Sequence, residues 1–198
     1  MGIVIHILLL SFNLFKLNFL KIIRMVTLLH LTDDEKLSRE EELKKKLIAK
    51  ALEKKIATRA TDLAVRDILP DVDLGYSAKK WETGTLPAFT FSTVVNKRLE
   101  DTKVIGFVGV RDLKGGIGTG ITSVIRFKVG PGAAKVRRVF QIQGIESEEE
   151  KEGYFEEDII YENGQHVGID FYNVADGVSN LQLIGFVVEP KGELVAQG

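Results

Sequence analysis

Three groups of side chains in this 198-residue chain have the chemistry for a reactive or binding site: histidines, a dense run of carboxylates and a cluster of cations. The histidines are His6, His30 and His166. His166 and Asp170 fall on one face if their segment is a strand, because strand side chains alternate. A Ser/His/Asp site would use such a pair, but no G-x-S-x-G elbow accompanies it. A metal centre needs several converging ligands, and one histidine in strand-like sequence does not supply them. The carboxylates lie in "ESEEEKEGYFEED": Glu146, Glu148, Glu149, Glu150, Glu152, Glu156, Glu157 and Asp158. Paired carboxylates can hydrolyse glycosides or ligate Ca²⁺. This run lacks the D-x-D-x-D-G spacing of a calcium loop, and like charges so dense read as a solvated loop. Ca²⁺ at this acidic loop is the one cofactor worth considering; otherwise none is expected.

The glycine-rich stretch "DLKGGIGTGITS" holds Gly116, Gly118 and Gly120. It is neither the dinucleotide fingerprint nor a P-loop, since no helical pattern follows and no Lys succeeds the last glycine. It reads as a hairpin loop. The cations lie in "IRFKVGPGAAKVRRV". Strand alternation puts Arg126 and Lys128 on one face, and likewise Lys135 and Arg137, with Arg138 beside them. The expected interface sets Arg126, Lys128, Lys135, Arg137 and Arg138 against Glu148, Glu149, Glu150 and Glu152 of an adjacent copy, a heterologous contact between opposite charges. The plainer reading is a mixed surface. Lys+Arg 27 against Asp+Glu 28 leaves a formal charge of -1, without the basic excess of a nucleic-acid binder. The absence of Cys excludes disulfides and thiolate chemistry, and with few Met and many Lys and Glu it would suit a hot habitat.

The elements that must position these groups follow from periodicity. Thr32 and Glu35 form a capping-box pattern, and Leu43, Leu47 and Ala51 repeat every four residues. The spacing predicts a helix from there to about Ala57, laying one stripe on a core or on a neighbouring subunit. Thr61–Leu69 reads as a short second helix ended by Pro70. After Ala88 the period changes to that of strands: "FTFSTVV", "KVIGFVGVR", "ITSVIRFKV", "KVRRVFQIQGI", "EDIIYE", "HVGIDFYNV" and "NLQLIGFVVEP" are rich in Val, Ile, Phe and Thr. Strands without intervening helices predict a mainly β chain: an antiparallel β-sandwich of jelly-roll or Greek-key type, preceded by an N-terminal α-helical arm. Phe89, Phe91, Phe107, Phe127, Phe140, Phe171 and Phe186 are the expected core.

The expected division is an apolar leader over residues 1–31, a helical arm over 32–69, a linker with Trp81 over 70–88 and the sandwich over 89–198. The leader "MGIVIHILLLSFNLFKLNFLKIIRM" is open to three readings. Ser11, Asn13, Lys16 and Asn18 interrupt it as a membrane span, and its late cations do not suit a secretory signal. Translation starting at Met25 is the third. Membrane contact is expected only if residues 1–24 belong to the protein.

"VGVRD" (Val108–Asp112), "IRFKVG" (Ile125–Gly130), "EEDIIYE" (Glu156–Glu162), "IDFYN" (Ile169–Asn173) and "LIGFVVEPKG" (Leu183–Gly192) occur in an order that resembles jelly-roll structural proteins: capsid, decoration and other virion proteins of archaeal or thermophile viruses and proviruses. The resemblance covers Leu69 to the end. It implies a non-enzymatic building block, in a virion or the cytoplasm, whose partners are copies of itself and other virion proteins, with no catalytic residues to carry over. Jelly rolls also bind carbohydrate, so a lectin-like module with exposed Trp81, Tyr154 and Tyr172 is the alternative; a hydrolase using the acidic run is a third.

Overall fold

The computed structural model of the protein describes residues 26–77, 79–113, 121–142 and 152–193. The leader up to Met25, the loop glycines Gly116, Gly118 and Gly120, and Glu146, Glu148, Glu149 and Glu150, with the Ca²⁺ loop they would form, lie outside these residues.

The chain is mainly β. Its elements are β1 (Val26–Thr27), α1 (Asp33–Glu53), β2 (Leu63–Asp67), α2 (Pro70–Leu74), β3 (Thr85–Leu86), β4 (Phe91–Arg98), β5 (Val104–Asp112), β6 (Thr122–Val129), β7 (Lys135–Gln141), β8 (Glu152–Tyr161), β9 (His166–Asn173), β10 (Gly177–Val178) and β11 (Leu181–Pro190). The first sheet has the order β2–β11–β5–β8, antiparallel throughout. The second has the order β1–β7–β6–β9–β4, antiparallel except where β1 joins β7 in parallel. A ribbon of β3 and β10 stands apart from both.

Ile105, Phe107 and Val187 of the first sheet share one apolar cluster with Ile125, Phe127, Ile169 and Phe171 of the second. Phe127 is its hub, with ring centroids 5.5 Å from Phe107, 5.9 Å from Phe140 and 5.5 Å from Phe155. The opposite face of the first sheet is covered by α1. Leu43, Leu47 and Ala51, the stripe visible in the sequence, are buried against Val104, Val108, Phe186 and Val188. Close approach depends on Gly106, where a Cβ would stand 2.9 Å from side-chain carbons of both Leu43 and Leu47. The Thr32–Glu35 capping box starts the helix. Ion pairs of Arg39 (3.2 Å) and Lys46 (2.7 Å) with Asp158 fasten it to β8.

Several expectations are corrected. Leu63–Asp67 is not a helix but an edge strand on β11, with Leu63 and Val65 turned towards α1 and Arg66 towards the interior. Pro70 begins a helix rather than ending one, since the first helical position needs no N–H. The stretch read as a linker buries Leu74 and Tyr76, and Trp81 packs on Tyr76 at 5.8 Å. Leader residues 28–31 also belong to the fold: Leu28 is buried, and Leu29 exchanges two backbone hydrogen bonds with Tyr154. The helix is thus a layer of the fold and not an arm. Among the phenylalanines expected inside, Phe89 is 73% and Phe91 38% exposed, while the other five are buried.

A helix that completes the core must contribute to global stability. Leu47→Ala should cost about 2–5 kcal/mol in urea unfolding, as buried Leu→Ala substitutions do. An unchanged midpoint would mean that α1 folds apart from the sheets.

Candidate functional site: the open face of the second sheet

The two sheets differ in cover. The first has α1 on one face and the shared core on the other, whereas among the described residues the outer face of the second carries neither helix layer nor sheet, only the turn Pro131–Ala133 against Gly168. Alternation assigns the rest: Ile125, Phe127, Ile169 and Phe171 point into the core, so Arg126, Lys128, Asp170 and Tyr172 point away from it. Cross-strand register sets Thr93, Asp170 and Arg126 in one row, with Phe91 beside Tyr172 in the next.

Asp170 is the centre of this face and is only 1% exposed. Its carboxylate accepts from Arg126 Nε at 2.8 Å, from Thr93 Oγ1 at 2.9 Å and from Lys128 Nζ at 2.6 Å. Burial alone would push the Asp170 carboxyl up, but the bonds from Lys128, Arg126 and Thr93 outweigh it and hold the group below the usual aspartate range. The Arg126 guanidinium also lies over the Phe91 ring, 3.9 Å from its centroid, and Phe91 meets Tyr172 at 5.2 Å. At the same end stand Phe89 and Val174, both exposed, and Val136 is exposed beside Lys128 on β7. Phe89 is also strained, with φ 57, in the left-handed region that bulky residues avoid. It is pinned there by its own N–H donating to the Asn173 carbonyl (2.8 Å) and by the Ala88 N–H donating to Asp176 Oδ1 (2.6 Å).

The expected interface residues are dispersed by this geometry. Arg126 and Lys128 share a face, as read from the sequence, but both are engaged by Asp170 of their own chain. Arg137 donates to the Ile160 carbonyl and lies over the Tyr161 ring, while Arg138 pairs with Glu157; both tie the edge of β7 to β8. Lys135 is exposed. Glu152 pairs with Arg111 at 2.6 Å. His166 takes no part in the Asp170 cluster, and among the described residues no group of three or more His, Asp or Glu is placed to hold a metal ion. Tyr154, expected at a sugar-binding surface, is buried with its hydroxyl donating to Glu40 at 2.9 Å. Among the described residues no helix is long and apolar enough to cross a membrane.

A second charged cluster was not anticipated. Arg66 donates to both carboxylate oxygens of Asp73 (2.6 and 2.9 Å) and to Glu189 (2.7 and 3.2 Å), and Lys103 stands 3.5 Å from Glu189. All four side chains are buried, and their charges cancel. Bonding to Asp73 and Glu189 raises the Arg66 pKa against the opposing effect of burial. Asp73 also accepts the Leu69 N–H at 2.7 Å, so α2 is clamped to β2 and β11. With every oxygen committed and no solvent access, this pair of carboxylates is a clamp and not an acid–base couple.

Two outcomes follow from these clusters. Asp73→Ala leaves Arg66 buried without its strongest partner and should cost about 3–5 kcal/mol in chemical denaturation, whereas surface charge substitutions lie within about 0.5 kcal/mol. For Asp170 the folded pKa is the lower one, so the unfolded chain takes up the proton first as pH falls. Its contribution is complete above the unfolded value, about 3.9, and is lost below it, down through the folded pKa. Asp170→Asn should be less stable at neutral pH, and its thermal midpoint should fall less steeply as pH drops below about 4. Parallel acid profiles for the two proteins would refute the assignment. No protein-family model matches this chain, and no curated protein matches it either, so the geometry alone carries the functional reading.

Proposed function

We propose that this chain is a non-enzymatic structural protein that assembles with copies of itself, as a virion or provirus-encoded building block, and that its two sheets form a jelly roll. Strand order supports the fold. Taken in chain order, β2, β4, β5, β6, β7, β8, β9 and β11 are the first to eighth strands. One sheet then reads first–eighth–third–sixth and the other second–seventh–fourth–fifth. Only the hairpin from fourth to fifth stays within a sheet, and every other connection crosses over, as in a jelly roll. The fold is shared by capsid proteins and lectins and does not choose between them.

The observation that carries assembly is Phe89. An exposed aromatic held at φ 57 sits where Gly or Asn would be more stable, so its type and its conformation conflict. Such conflicts persist where function needs them. Phe89, Phe91, Tyr172 and Val174 make an apolar border on the sheet face that, among the described residues, has neither helix layer nor sheet over it. Edge-to-edge association is obstructed at β8, where Arg39 donates to the Phe155 (2.9 Å) and Glu156 (3.2 Å) carbonyls and Leu29 takes Tyr154. At β8, then, a neighbouring copy would meet a closed edge, and the apolar border of the second sheet is the contact surface this reading uses.

Light scattering on the full chain tests this. A defined oligomer is expected, and Phe89→Gly should shift it towards monomer while raising the thermal midpoint, since left-handed strain of about 1–2 kcal/mol is relieved. A monomeric wild-type protein, or an oligomer indifferent to both Phe89→Gly and Phe91→Ser, would overturn the proposal.

A further inference from the structure

We draw no further inference here: the strongest candidate, the edge of β4 that continues the Phe89 and Phe91 border and pairs with β9 alone among the described strands, is an unpartnered sheet edge, and nothing in the structure shows what covers it.

Discussion

The first sheet is buried on both faces, and most of the fold answers to that constraint. From Val104 to Val110 no residue of β5 reaches solvent, so the strand has no polar side and neither side can be left uncovered. Helix α1 meets the requirement on one side and the second sheet on the other. Glycine sits where a side chain would hold the helix off the sheet, at Gly106, and within the sheet Gly109 lets β5 meet β8 at the register shift, where a Cβ would stand 2.5 Å from the Gly153 carbonyl. Polar groups are forced to the ends of the strands, and there the two unusual features of the molecule occur. One end is locked by Arg66, Asp73, Lys103 and Glu189; the other opens into a cavity beside Gly185.

The buried clamp adds definition more than net stability. Desolvating two carboxylates and two cations costs roughly what their mutual attraction returns, so an apolar replacement of equal volume could do as well energetically. An apolar replacement would not fix register. Arg66 can satisfy Asp73 and Glu189 together only if β2, α2 and β11 are mutually placed to within a fraction of a turn. The second sheet uses the same device at Asp170, where three strands contribute: Thr93 from β4, Asp170 from β9, and Arg126 and Lys128 from β6.

Much of the architecture was legible in the sequence, and its failures have physical causes. Val, Ile and Phe enrichment located the seven longest strands of the domain, and the four-residue spacing of Leu43, Leu47 and Ala51 gave the buried stripe of α1. Strict alternation along β5 would place Val108 and Val110 on one face, but the register shifts at Val108 towards both neighbouring strands turn Val110 into the inter-sheet core. Local pattern could not find β2, because five residues hold too little periodicity to separate a strand from a helical turn. Phe89 was misplaced because hydrophobicity predicts burial and says nothing of a backbone pinned at positive φ. For the cations at Arg126, Lys128, Arg137 and Arg138, type and face were readable but partners were not, since those come from strands that only the fold brings near.

The position of β11 has a consequence for how the molecule is made. It lies between β2 and β5, yet in chain order it follows every other described strand, and the bond from Arg66 to Glu189 joins residues 123 apart. While the chain is leaving the ribosome, the first sheet therefore has a gap at its centre and α1 has only half of its bed. The missing strand cannot be bypassed, because β2 has no other neighbour among the described strands. Closure of this sheet is a step of high contact order, and until it happens the apolar faces of β5 and α1 depend on dilution or a chaperone to stay apart from those of other chains.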